Sequence, residues 1–141
     1  MLRRMLVQHA DSVAIVAVDD GGLVVVRQRR AGAKDLTTEL PSGKLEAGEG
    51  PDDAVRRELA EECGLAASEW RRLGAFWAVP AYSTEFVHVY EATGLSDSLV
   101  EAALDDDEEL EVARVPLARA WDELSDAVSL AALAVWERRR A

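Results

Sequence analysis

Glu58, Glu61 and Glu62 stand at i, i+3 and i+4 in the run "RRELAEE", a spacing that gathers three carboxylates on one face of a helix. Like charges so placed repel by roughly 0.2–0.5 kcal/mol per pair, a cost that nothing offsets unless a cation sits among them. Mg²⁺ prefers hard oxygen ligands, keeps several waters and links a few carboxylates to substrate phosphates, so this ridge suits it. The glycine-bearing loop "PSGKLEAGEG" comes just before. Gly43 lets its backbone approach closely, and the carbonyl of Ser42 offers a neutral oxygen ligand. Arg57 is placed either to orient Glu58 or to pair with Glu49. Taken alone, "RRELAEE" reads better as a solvated helix face, where Glu and Arg are common; the wider spacing reverses that judgement.

In order, the segment runs Gly43, five residues, Glu49, seven residues, Arg57, Glu58, Leu59, one residue, Glu61, Glu62, one residue, Gly64 and Leu65. It resembles the Nudix box at every specified position, a far more specific signal than a lone glycine motif. The resemblance extends over nearly the whole chain and implies an α/β/α sandwich with a mixed β-sheet, as one Nudix hydrolase domain over residues 1–141. It further implies Mg²⁺- or Mn²⁺-dependent hydrolysis of a nucleoside diphosphate linked to another group, with water attacking phosphorus. The metal ligands would come from Glu58, Glu61, Glu62 and the Ser42 carbonyl, with Arg57 in the catalytic group. For the general base, similarity to this superfamily leaves several candidates: Glu58, Glu61, or a glutamate of the late acidic loop "DDDEEL", Glu108 or Glu109.

Within the superfamily, "VVVRQRR", "ELPSGKLEAGE" and "PAYSTEFVHVYEATGL" look like the ADP-ribose pyrophosphatase branch. Arg30 matches a phosphate-contacting position, and a planar guanidinium can hold two diphosphate oxygens at once. Glu39 matches the branch pattern before the loop as a substrate contact. Pro80, 16 residues beyond Gly64, matches a proline of that branch and equally suits a plain turn between strands. Trp77 and Tyr82 have the rings to stack on an adenine, although large aromatics are more often core or interface residues. The products from ADP-ribose would be AMP and ribose 5-phosphate. Rival readings are a Nudix hydrolase for a nucleotide sugar, a dinucleoside polyphosphate or an oxidised nucleoside triphosphate, and a noncatalytic nucleotide-binding regulatory domain. The intact glutamate set favours catalysis.

The totals agree with a small-molecule enzyme. A chain of 141 residues with 49% apolar and 30% charged residues is long enough for one core and is not composed like a disordered tail. With 16 Lys plus Arg against 27 Asp plus Glu, the formal charge of −11 repels a polymeric nucleic acid. Local arginines or a bound cation can still reverse the field in one pocket and admit a phosphorylated small molecule. The single cysteine, Cys63, forms no intrachain disulfide, which fits a reducing cytoplasm. No stretch approaches the roughly 20 apolar residues of a membrane span, and the start has no leader-like apolar core.

The elements that must position these groups can also be read. "SVAIVAV" and "LVVVRQ" around "DDGG" predict a hairpin, "LTTEL" a short strand, and Pro41 to Gly50 an irregular loop. Pro51 with Asp52 and Asp53 predicts a helix start, Gly64 its stop, and Val55, Leu59 and Cys63 its buried stripe. "WRRLGAFWAV", "TEFVHVYEA" and "ELEVARV" predict three more strands. From Pro116 the pattern turns helical, first near residues 118–124 and then from a cap at Ser125 or Asp126, with Leu130, Leu133, Ala134 and Trp136 inward. His88 alternates with Phe86 and Tyr90 and suits a structural role; His9 carries no signal. The first strand near Ser12 leaves no room for the N-terminal sheet that builds dimers in the ADP-ribose branch. A compact homodimer and a monomer both stay open.

Overall fold

The computed structural model describes residues 4–100 and 109–141. Its seven strands are β1 (Ser12–Asp19), β2 (Gly22–Arg30), β3 (Asp35–Glu39), β4 (Ser42–Lys44), β5 (Leu65–Trp77), β6 (Phe86–Asp97) and β7 (Glu111–Val115). The helices are α1 (Pro51–Cys63), the short α2 (Ala120–Glu123), entered through a 3₁₀ turn, and α3 (Ala127–Arg140). The strands lie in the order β3-β2-β1-β6-β5, with β4 on β1 and β7 on β2. Only β1 and β6 run parallel among the paired strands, so the sheet is mixed.

β1 explains the layering. Its residues Val13, Ile15 and Ala17 join Val55 and Leu59 of α1 in one apolar cluster, while Ala14 and Val16 join Leu133 and Trp136 of α3 in another. Successive side chains on a strand point to opposite faces, and a run apolar at every position is what a strand covered on both faces requires. The expected α/β/α sandwich follows from that one uninterrupted run.

The expected irregular loop after Pro41 contains one strand. The β1–β2 hairpin stays paired only near its turn, at Val18–Leu23 and Asp19–Gly22. The opposite end of β1 therefore needs other partners for its backbone groups, and β4 supplies them through Ser12–Lys44, Val13–Gly43 and Ala14–Ser42. Three residues containing a glycine show no alternation to read. The pairing arises from β1, and it presses the candidate loop against the sheet.

α1 starts at Pro51 as expected and ends at Gly64, whose φ of 65° lies in the left-handed region that glycine enters without a Cβ penalty. Cys63 packs beside its cluster, and burial pushes the thiol up to about 12, so it acts as a small apolar residue. α3 is capped by Asp126, which accepts from the Ser129 amide at 3.1 Å. Its inward residues are Ser129, Ala132, Leu133 and Trp136. Leu133 and Trp136 were expected there, Leu130 is only partly buried, and Ala134 faces solvent. The rotation follows from Ser129, whose hydroxyl accepts from the Leu40 amide at 2.8 Å; that polar tether draws a serine inward where periodicity predicts leucine and alanine. No helix among the described residues is long and apolar enough to cross a membrane.

Candidate active site

Glu58 leaves the inner side of α1 and is only 8% exposed. Its carboxyl lies directly over Gly43 of β4, so closely that a Cβ there would stand 2.0 Å from the carboxyl carbon. The box glycine is thus the space that Glu58 occupies, and the β4–β1 pairing holds that space in place.

Arg57 is the hub of the ridge. Its Nε and Nη2 donate to the two oxygens of Glu49, each at 2.8 Å. Nη1 donates to Glu58 at 2.9 Å and Glu61 at 3.0 Å, and Nη2 also reaches the Lys44 carbonyl at 2.9 Å. The two readings of Arg57 therefore hold together: it pairs with Glu49 and orients Glu58. A forked planar donor can do this, whereas a lysine ammonium has no fixed fork. Glu62 accepts from the Ser42 amide at 3.2 Å, which ties the last glutamate to the same loop.

The electrostatics follow from these contacts. Burial pushes the Glu58 carboxyl up to about 7, opposed by Arg57 and reinforced by the charges of Glu61 and Glu49. The Arg57 hydrogen bonds hold Glu49 below the usual carboxylate range, and the same partners raise Arg57. Among the described residues no three acidic, His or Cys side chains already converge as a metal site, because Glu58 and Glu61 turn toward the guanidinium. Their donor chemistry nevertheless suits a hard divalent cation. Glu58 is held in a glycine-sized cradle, and burial makes its negative charge expensive without a strong positive neighbour.

Ser42, Gly43, Arg57, Glu58, Glu61 and Glu62 line a cavity of about 670 Å³. Arg30 and Glu39 are on its wall and bind one another, Nε to Oε2 at 2.9 Å and Nη2 to Oε1 at 3.1 Å. Glu39 also accepts from the Thr37 hydroxyl at 2.6 Å, so it fixes the guanidinium. The two bonds leave Arg30 with further N–H groups for a ligand.

The other expected substrate residues lie elsewhere. Pro80 and Tyr82 are exposed in the β5–β6 connection, and neither they nor Trp77 line this cavity. The Tyr82 carbonyl accepts from the Val7 amide at 2.7 Å, and Trp77 packs on Phe86 with ring centres 4.7 Å apart. Glu109 is exposed before β7 and is not on the cavity wall. Glu108 lies outside the described residues.

Sequence reasoning missed Asp126 as a site residue. It lines the cavity, and while one oxygen caps α3, the other is buried without a hydrogen-bond partner among the described residues. Its only local signal was a capping pattern; α3 packing brings it opposite Arg30. Burial raises its carboxyl above the ordinary value of 3.8, so the sign of its contribution is definite. Stability associated with this group is full below pH 3.8 and declines as pH rises through the folded value. Asp126→Asn retains a good N-cap and should flatten that decline. Urea melts of both proteins from pH 4 to pH 8 measure it, and parallel curves would remove Asp126 as the source.

The likenesses to known proteins agree with the geometry. Over 116 residues the chain is 40% identical to ADP-ribose pyrophosphatase of Bacillus subtilis (strain 168), a match covering 82% of this chain and 63% of that protein. It is 44% identical over 99 residues to ADP-ribose pyrophosphatase of Mycobacterium tuberculosis (strain ATCC 25618 / H37Rv), covering 69% of this chain and 48% of the relative. The matched region thus spans from just under half to just under two thirds of these relatives. A crystal structure of an ADP compounds hydrolase superposes with a TM-score of 0.84 at 26% identity, covering 96% of this chain and 75% of that one. The NUDIX domain model matches residues 8–139, and on that match, with the box folded around Gly43 and Glu58, the chain belongs to the Nudix family.

Proposed function

We propose that this protein is a Mg²⁺-dependent hydrolase of a nucleoside diphosphate derivative, with ADP-ribose as the favoured substrate and AMP and ribose 5-phosphate as products. The observation that carries the reading is the cavity wall, where Glu58 is seated on Gly43, Arg57 gathers the box carboxylates, and Arg30 is held by Glu39.

The charge on the wall supports a cation. Among the described residues the cavity is lined by seven carboxylate side chains against three lysine and arginine side chains, so an anionic diphosphate would be repelled from these residues alone. Glu58 and Glu62, with the Ser42 carbonyl and Glu61 beside them, would hold Mg²⁺, or Mn²⁺ in its place. When bound, the ion supplies charge neutralisation at the diphosphate and a more acidic water. Arg57 keeps Glu58 and Glu61 in register, and Arg30 offers its remaining N–H groups to phosphate oxygens. For the base that accepts the proton of an attacking water we favour Glu58 or Glu61, both on the cavity wall, over Glu109, which is off that wall; Glu108 lies outside the described residues.

The substrate assignment draws on the two ADP-ribose pyrophosphatases and the ADP compounds hydrolase. A panel of ADP-ribose, nucleotide sugars, dinucleoside polyphosphates and nucleoside triphosphates, assayed with Mg²⁺ and then with EDTA, tests it. ADP-ribose should give AMP at the highest kcat/KM in the panel, and EDTA should stop turnover. Preference for another member would overturn the substrate and leave the chemistry; undiminished turnover in EDTA would overturn the metal requirement.

A further inference from the structure

On a different side of α1, a cavity of about 260 Å³ is lined by Asp52, Val55, Arg56, Trp70, Arg72 and Tyr90. It shares no lining residue with the candidate active site. Its wall is drawn from three elements: α1 gives Asp52, Val55 and Arg56, while Trp70 and Arg72 of β5 and Tyr90 of β6 are neighbours across the sheet, with Arg72 opposite Tyr90.

The polar groups here are donors short of acceptors. The Trp70 indole N–H is buried and has no hydrogen-bond partner among the described residues, a costly condition when nothing satisfies the group. Arg56 follows Asp52 by four residues, the helical spacing that favours an ion pair. Yet among the described residues it forms none and lies over the Trp70 ring, 5.3 Å from its centre. Arg72 has no carboxylate partner among the described residues either; it donates to Nδ1 of His88 at 2.9 Å, whose Nε2 faces Asp11 at 2.9 Å. Asp52, the one carboxylate in the wall among the described residues, accepts from the Tyr90 hydroxyl. Two guanidinium groups with no ion pair among the described residues therefore share the wall of one pocket, next to the Trp70 ring, in a chain whose net charge is −11.

We propose that this second cavity is an anion site for a small phosphomonoester. Donors arriving from a helix and from a strand beneath it match an oxyanion with acceptor oxygens in several directions, whereas a carboxylate offers its two in one plane. The remaining N–H groups of Arg56 and Arg72 would take the phosphate, and the apolar side of Val55 and the Trp70 ring would face its organic stem. Binding here requires neither hydrolysis nor a divalent ion, so it can succeed or fail independently of the proposed activity.

The test is a titration of the full chain in EDTA at constant ionic strength, followed by ¹H–¹⁵N NMR at the Trp70 indole signal, assigned with Trp70→Phe. Inorganic phosphate and ribose 5-phosphate are the probes, succinate the carboxylate comparison and chloride the control. Both phosphates should shift the Trp70 signal saturably, and Arg56→Gln with Arg72→Gln should weaken the response at least tenfold. Because Arg56 is exposed and among the described residues forms no ion pair, Arg56→Gln alone supplies the comparison should the double variant fail to fold, and it too should bind more weakly. The proposal is overturned by the absence of saturation up to about 20 mM phosphate, well beyond millimolar affinity. It is equally overturned by unchanged affinity in the variants, or by succinate saturating the site in preference to phosphate.

Discussion

Glu58→Gln is expected to lower kcat/KM on the preferred substrate by about 10³-fold or more, the scale seen when a group that stabilises transition-state charge is removed. The change keeps the side-chain volume over Gly43 and a hydrogen-bonding oxygen toward Arg57 while deleting the charge a divalent cation would meet. Stability should respond differently. Burial disfavours the ionised Glu58 carboxyl, and Arg57 retains Glu49 and Glu61 as partners, so the metal-free melting temperature should hold or rise. Such opposition between activity and stability is common where a site keeps a costly charge. Paired measurements of kcat/KM and of melting in EDTA check the prediction. Near-full activity would remove Glu58 from the metal set, and a collapse in melting temperature would recast it as a structural residue.

Gly43→Ala should be nearly as damaging through shape alone. The added Cβ would lie 2.0 Å from the Glu58 carboxyl carbon and from one of its oxygens, so the two cannot coexist as placed. What it meets is the far end of a flexible side chain, so Glu58 can swing aside and the backbone need not move. A loss of about 10²-fold or more in kcat/KM is expected, since misplacing a reactive group by 1 Å can cost that much, with melting lowered by only a few degrees. Circular dichroism and calorimetry alongside the kinetics separate the two effects. Activity within threefold of the wild type would sink the cradle argument.

The fold was legible where burial imposes a pattern. The run from Val13 to Ala17 is apolar at every position because both faces of β1 are covered, and α1 announces itself through Pro51, its apolar stripe and Gly64. What escaped were elements that owe their existence to a distant partner. β4 carries no strand pattern and forms because one end of β1 is left unpaired by its hairpin. α3 turns Ser129 inward and Ala134 outward because the Leu40 amide, 89 residues away, needs an acceptor.

The site divides in the same way. Gly43, Glu49, Arg57, Glu58, Glu61 and Glu62 could be grouped from spacing because helical periodicity and a short loop bring them together locally. Their identity also carries the chemistry, since carboxylates at i, i+3 and i+4 repel unless a cation is near. Spacing could not show that Arg57 would hold Glu49, Glu58 and Glu61 at once, that Glu39 would occupy Arg30, or that Asp126 would enter the same cavity while Pro80 and Tyr82 stayed outside it. Those relations join β2, β3 and the start of α3 to the box across long stretches of chain. The sequence by itself determined the family, the two-faced sheet and the acidic ridge, because each is written in local residue order. Only the tertiary structure decided the reach of the cavity and its charge partners, because strand pairing and helix rotation are settled by which buried backbone groups find partners.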